Sequence, residues 1–451
     1  MPTDTICALA TAPGGALGII RVSGPAAFSA VSSISRVCCN DVAANTIHYT
    51  HIISAEGETV DEAMVSVFRT PHSYTGEDSV EISCHGSRYI LNKVLELLVQ
   101  NGCRMANPGE YTQRAYLNGK MDLSQAEAVA DLIASASRAS HQMAMSQLKG
   151  HFSSELKKLR DQLLQLTSLL ELELDFSDHE DLEFADRTVL FTLANKIDER
   201  IQQLTDSFEI GQAIRNGIPV AIVGKTNVGK STLLNCLLGD DRAIVSDIHG
   251  TTRDTIEDTI DIDGIQFRFI DTAGLRQTSD EVEQIGIERT KQKIKEARIV
   301  LWLVDDRPTA GEYEDMTRQI KGKNYICVHT KSDLLDPETF VPYFSPMLLI
   351  SAKTGNGIEE LKKRILEEAN VAGITGHEII VTNARHYDAL CRAHDSILRV
   401  IDGLSPLAAL PSDLLAEDLR QTLDILAEIT GGQITPQETL NNIFSHFCVG
   451  K

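Results

Sequence analysis

Residues 217–231, GIPVAIVGKTNVGKS, constrain the fold more than any other stretch of the chain. Residues 219–223 form a short apolar, β-branched run of the kind a buried parallel strand needs. They lead directly into Gly224-Lys-Thr-Asn-Val-Gly-Lys230-Ser231, and residues 232–238 read as the helix that follows. The glycines let successive backbone N–H groups converge on phosphate oxygens, with a helix N-terminus facing the anion. Asn227, Val228, Gly229, Lys230, Ser231 and Thr232 are therefore candidate nucleotide contacts. Lys230 brings a point charge to the β and γ phosphates, and Ser231 is a candidate Mg²⁺ ligand.

At 451 residues the chain is too long for one core, so several domains are expected. It has no apolar run of bilayer-spanning length, and its first residues lack the basic start and apolar core of a secretion signal, which points to the cytoplasm. The nine cysteines are scattered without any C-x-x-C, against both a disulfide framework and a thiolate zinc site. The net charge of -22 bears on partners, because a protein that grips nucleic acid alone usually presents a basic surface. An RNA substrate would need a local patch or a second protein.

Taken in order, residues 16–22, 63–68 and 79–84 read as strands, the last interrupted by Glu81, and 89–99 as a helix. Ser124 to Glu127 has the spacing of a capping box and opens a helical region. Leucines 156, 159, 163, 166 and 170 then step by three and four, the seam of a helix packed on a neighbour. The acidic run at 171–186 reads as a solvated segment. From 218 to 369 strands alternate with helices, and Asp263-Gly264 between two strands signals a hairpin, hence one antiparallel edge on an otherwise parallel sheet. Helices return at 383–402 and 412–429. The expected fold is multidomain α/β plus all-α: an α/β domain over 1–119, a helical bundle from 120–214 and 377–451, and an inserted P-loop domain over 215–376.

The base is read elsewhere. A carboxylate at Asp333, in Thr330-Lys331-Ser332-Asp333, accepts from guanine N1–H and the 2-amino group, which adenine lacks. This resembles the GTPase NKxD motif with Thr330 in place of Asn, putting one structural or base-contacting hydrogen bond in doubt. Ser351-Ala352-Lys353 matches the supporting guanine loop. Asp271-Thr272-Ala273-Gly274 matches the segment that holds the Mg²⁺ shell and senses the γ-phosphate, and Thr251 and Thr252 lie where the first switch should, Thr252 as second Mg²⁺ ligand. Leu275 stands near where Ras-like proteins put a water-orienting Gln, and an alkyl chain cannot orient water. Glu283 is the candidate to do so, or one more surface acid. Asn227 has an oxygen able to hold a monovalent cation where an arginine finger would put charge.

The ordered motifs resemble the family of bacterial and organellar tRNA-modification GTPases, MnmE or TrmE. The residues that carry the resemblance are Gly-Thr-Thr-Arg-Asp (250–254), Asp-Thr-Ala-Gly-Leu-Arg (271–276), Asp-Glu-Val-Glu-Gln-Ile-Gly-Ile-Glu-Arg (280–289), Ser-Tyr-Thr-Gly-Glu-Asp (73–78), Asn-Pro-Gly-Glu-Tyr-Thr (107–112), the stretch 117–128 and the terminal Phe-Cys-Val-Gly-Lys. The resemblance spans essentially the whole chain. It implies a Ras-like P-loop GTPase domain that uses GTP/GDP and Mg²⁺, and an N-terminal domain that dimerises and binds a one-carbon tetrahydrofolate, 5-formyl or methylene. It also implies an FAD-dependent partner, MnmG or GidA, with which aminomethyl-type groups are placed on C5 of the wobble uridine of certain tRNAs. It assigns K⁺ to Asn227, Ser246, Ile248 and Thr251, the catalytic glutamate to Glu283, and folate contacts to Arg21, Glu81, Lys120 and Lys451. Arg21 and the lysines suit glutamyl carboxylates and Glu81 the pterin's amino-pyrimidine edge, although each alone is an ordinary surface ion-pair residue.

Cys448 has three readings: a prenylation box, which Gly450 and Lys451 do not fit; a packing cysteine; or, from the resemblance, a functionally required thiol near the folate. The competing functional class is a GTP-dependent ribosome-assembly switch, which shares the nucleotide motifs but usually adds a basic RNA-binding module.

Overall fold

The structure, a computed structural model, describes residues 4–175, 187–239, 258–270, 292, 294–336, 340–343, 346–370, 379–405, 410–432, 437–445, 447 and 450. The chain forms two compact units: residues 1–133, 147–201 and 389–451 in one, 134–146 and 202–388 in the other.

The first unit begins with β1 (Thr5–Leu9), β2 (Leu17–Ser23), α1 (Ala27–Ile34), β3 (Thr46–Ile53), β4 (Thr59–Phe68), β5 (Ser79–His85), α2 (Arg88–Gln100), β6 (Cys103–Met105) and α3 (Glu110–Leu117). The strands lie in the order β3-β4-β5-β2-β1-β6, with β1 and β6 parallel and the other neighbours antiparallel. Alternation sets the two faces. Ile20, Val22, Val65, Val67, Val80 and Ile82 meet Phe28 and Val31 of α1 and Leu91, Val94 and Leu98 of α2 in one core. The opposite face leaves Leu17, Ile47, Tyr49 and Met64 exposed. Glu81, which interrupts the apolar pattern of β5, stands directly across from Arg21 of β2 on that open face.

The helical region opens with α4 (Leu123–Ala134), α5 (Arg138–Leu148), α6 (His151–Asp175) and α7 (Arg187–Asn216). The capping box expected at Ser124 and Glu127 is a correction. Asp122 Oδ1 accepts from the Gln125 N–H and Gln125 Oε1 from the Asp122 N–H, both at 2.9 Å, two residues earlier. Ser124 and Glu127 are buried instead.

In the second unit, β7 (Ile218–Gly224), α8 (Lys230–Gly239), β8 (Asp258–Ile262), β9 (Ile265–Phe269), β10 (Ile299–Val304), α9 (Ala310–Gln319), β11 (Asn324–His329), β12 (Leu348–Leu349) and α10 (Ile358–Ala369) follow. The strand order is β12-β11-β10-β7-β9-β8, parallel except for β8, the antiparallel edge that the Asp263-Gly264 turn predicts. β10 is buried at every position, as a central parallel strand covered on both faces must be. Helix α8 starts at Lys230, two residues before the expected start, and β12 spans only Leu348 and Leu349.

The chain closes with α11 (Ala384–Leu404), α12 (Ser412–Thr430) and α13 (Gln437–Ser445). Leu156, Leu159, Leu163, Leu166 and Leu170 of α6 are all buried, and the helix they face is α12, through its own buried Leu415, Leu419, Leu426 and Ile429. Leu440, Phe444 and Phe447 cluster with Leu123 and Ala126. There Gly109, at φ 67°, lets α3 approach so closely that a Cβ would lie 2.7 Å from the Phe444 carbonyl oxygen.

Candidate nucleotide site and Arg21 site

The phosphate loop hangs between the carboxyl end of β7 and the N-terminus of α8, where open α/β sheets take their ligands. Gly224 is obligatory there, because a Cβ would stand 2.5 Å from the Leu303 carbonyl oxygen. Asn227 takes the left-handed conformation at φ 62° and is exposed, while Val228 beside it is buried. Lys230 Nζ donates to the carbonyls of Gly224 at 2.6 Å and Lys225 at 2.9 Å, folding its ammonium back over the cradle. Ser231 is half-buried and Thr232 exposed on the first turn of α8.

Two strands away the residues expected to read the base converge. Ser351 donates to Asp333 Oδ1 at 2.6 Å, and this bond holds the carboxyl below its usual range, ionised and ready to accept. Thr330 Oγ1 donates to the Val228 carbonyl at 2.6 Å, so the structural half of the bond left in doubt by the missing Asn is kept. Lys331, with φ 56°, pairs with Asp305 at 2.6 Å. Ala352 packs on the sheet's core, and Lys353 is exposed with its charge favouring ionised Asp333.

Sequence reasoning missed Asp305 and Glu312. Glu312 is tied to Lys225 of the phosphate loop at 2.8 Å while completing a capping box with Thr309 at the start of α9. The Thr-x-x-Glu spacing was visible; its link to the loop was not. His329 was missed too: buried, it bonds the Thr330 carbonyl through Nδ1 at 2.8 Å, and burial lowers its pKa.

In the first unit Arg21 and Glu81 meet at 2.7 Å. The Arg21 guanidinium lies 5.4 Å from the Tyr74 ring centre and 5.6 Å from that of Tyr111, and its Nη1 donates to the Gly450 carbonyl at 3.4 Å. Both tyrosines lie in stretches that carry the family resemblance, 73–78 and 107–112, but no role was read for either from the sequence. Lys120 Nζ donates to the Pro71 carbonyl at 2.8 Å, in the same loop as Tyr74. Ser246, Ile248, Thr251, Thr252, Asp271, Thr272, Ala273, Gly274, Glu283, Cys448 and Lys451 lie outside the described residues. Among the described residues no helix is long and apolar enough to cross a membrane.

A loop of this kind on the central strand, with a hydroxyl-anchored carboxylate two strands away, defines a P-loop GTPase. Comparison with known proteins carries the assignment further. The family model described as the MnmE helical domain matches residues 123–448, and the one described as the GTP-binding protein TrmE N-terminus matches residues 5–120. The chain is 52% identical to the tRNA modification GTPase MnmE of Bacteroides thetaiotaomicron, covering 100% of both chains. It is 51% identical to that of Phocaeicola vulgatus, covering 99% of both. The chain therefore belongs to the MnmE family of tRNA modification GTPases. The solved G domain of FeoB from Methanococcus jannaschii is 23% identical over 34% of this chain and 97% of its own, with a TM-score of only 0.24, so the sheet description rests on the strand order itself.

Proposed function

We propose that this GTPase is stimulated by K⁺, works through pairing of its G domains, and acts in the cytoplasm with an FAD-dependent partner of the MnmG/GidA type. Together they would add an aminomethyl or carboxymethylaminomethyl group to C5 of the wobble uridine, U34, of certain tRNAs. A bound tetrahydrofolate, 5-formyl or methylene, would supply the one-carbon unit. The observation that carries this reading is the bond from Arg21 to the Gly450 carbonyl, which brings the end of the chain to a guanidinium framed by Tyr74, Tyr111 and Glu81.

The donor set suits folate: Arg21, with Lys120 and Lys451, for glutamyl carboxylates, Glu81 for the amino-pyrimidine edge, and two aromatic rings. Arg21 and Glu81 neutralise one another, and a ligand carrying both complementary groups would replace each partner with an equivalent one. Cys448, three residues before Lys451, would act beside it. The open sheet face with exposed Leu17, Ile47, Tyr49 and Met64 supports a homodimer through this domain, since an apolar patch of this kind is costly to leave in water.

At the phosphate loop, Lys230 would neutralise phosphate charge and Ser231, with Thr252, would hold Mg²⁺, a hard cation suited to hydroxyl oxygens. Asn227, with Ser246, Ile248 and Thr251, would hold K⁺, and Glu283 would position the attacking water. The test is the wobble nucleoside of tRNA from a strain lacking this protein. C5 modification should disappear and return with the wild-type chain but not with Arg21→Ala. Unchanged modification in the deletion strain would overturn the reading in favour of a ribosome-assembly switch.

A further inference from the structure

We infer that Thr330 is a clasp on the phosphate loop and not a reader of the base, so that this protein selects guanine without contacting N7. The inference rests on the guanine reading of Asp333 above.

Thr330 is 4% exposed and follows directly on β11. Its N–H donates to the Val304 carbonyl at 2.8 Å. Its Oγ1 lies 2.6 Å from the Val228 carbonyl oxygen and 3.3 Å from that of Val304. A hydroxyl carries one proton, and both neighbours can only accept. The proton is therefore spent on the shorter contact, to Val228, and what Oγ1 has left is lone pairs. Guanine N7 is also an acceptor. Two acceptors facing one another make no hydrogen bond.

The residue is held from its other side as well. His329 bonds the Thr330 carbonyl through Nδ1, and its ring is wedged against Phe340 and Tyr343 with centroids 5.1 and 5.9 Å away. Donating from Nδ1 leaves Nε2 buried without a partner among the described residues, an arrangement that keeps the imidazole neutral and the donor in place. Gly229 of the loop passes directly over Thr330, with room for a Cβ only 3.9 Å from the threonine's own. Backbone and side chain are both engaged, so the hydroxyl cannot turn towards a base. An asparagine amide, with an acceptor and two N–H donors, could hold the loop and still donate to N7. Threonine keeps the first bond and gives up the second, leaving base selection to Asp333 and its Ser351 anchor.

The test compares GDP, 7-deaza-GDP and ADP in competition with a fluorescent GDP on the full-length protein. GDP and 7-deaza-GDP should bind within about twofold of each other, for wild type and for Thr330→Ser, which retains the hydroxyl. Thr330→Asn should gain a preference for GDP over 7-deaza-GDP of about three- to tenfold, the worth of one net hydrogen bond. A wild-type preference for GDP over 7-deaza-GDP of about threefold or more overturns the inference, because that is the lower bound for one retained base contact. Equal binding of GDP and ADP is a separate result that overturns the guanine reading itself.

Discussion

Ser351 donates its hydroxyl to Asp333 Oδ1 at 2.6 Å, joining the segment after β11 to the segment after β12. The same hydroxyl accepts from the Thr354 N–H at 3.3 Å, which orients its proton towards the carboxylate. The carboxylate proposed to read the base is thus oriented by the protein's own hydroxyl.

Removing that aim should weaken guanine recognition and make it more sensitive to acid. The bond lowers the Asp333 pKa, so the binding-competent carboxylate persists above that depressed value and is lost as pH falls through it. Ser351→Ala raises the pKa towards the ordinary value. The acid limb of GDP affinity should therefore move to higher pH, with GDP binding at neutral pH weakened roughly three- to tenfold. Fluorescent-GDP titrations across pH check both.

Arg114, 1% exposed, is held by Glu110 at 3.0 Å, Glu77 at 3.2 Å and Asp4 at 2.8 Å. Truncation to Ala would take the central cation from three carboxylates, of which Asp4 and Glu110 keep Arg104 and Glu77 keeps the Ser23 hydroxyl, a loss of about 1–3 kcal/mol in the first unit's stability, below that of a fully broken buried pair. Burial works against ionisation of Glu110, yet hydrogen bonds from Arg104, the Asn107 N–H and Arg114 hold its pKa below the ordinary value. Its contribution is therefore present above the unfolded-state pKa and lost as pH falls through the folded one. Urea unfolding should show the mutational cost shrinking in acid.

Gly450 sits at φ 93°, where a Cβ would fall on the Leu9 carbonyl oxygen. Gly450→Ala should lift the tail from β1 and break its contact with Arg21. On the proposed function, U34 modification drops sharply while GTP hydrolysis stays near wild type, which nucleoside analysis and phosphate release measure side by side. Parallel losses in both would place the tail's role elsewhere.

Asn227 carries the cation prediction. Hydrolysis should run faster in K⁺ than in Na⁺ at equal ionic strength, and Asn227→Ala should abolish the difference. Glu283→Ala should keep GTP affinity while losing turnover, as measured by single-turnover hydrolysis. Equal wild-type rates in the two salts would remove Asn227 as a ligand.

The readable parts of the fold share a physical cause. β7 and β10 are buried on both sides, so their sequences are unbroken apolar runs, and the Asp-Gly turn between β8 and β9 is local chemistry. β3 was not read as a strand because it lies at a sheet edge with one face in solvent, and its histidines and threonines blur the alternation. β6, three residues long, leaves no pattern to read. The helix start at Asp122 was misplaced because two overlapping four-residue spacings compete, and burial of Ser124 and Glu127 decided between them.

The sequence by itself determined the phosphate loop, the apolar strands around it and the Asp-Gly turn, since each depends on neighbours a few residues away. Only the tertiary structure decided what Thr330 does, because its hydroxyl finds a carbonyl 102 residues distant. Likewise Arg21 meets Gly450 across 429 positions, and the leucine seam of α6 finds its partner in α12. Periodicity states that a face will be buried; which surface covers it is settled only when the whole chain has folded.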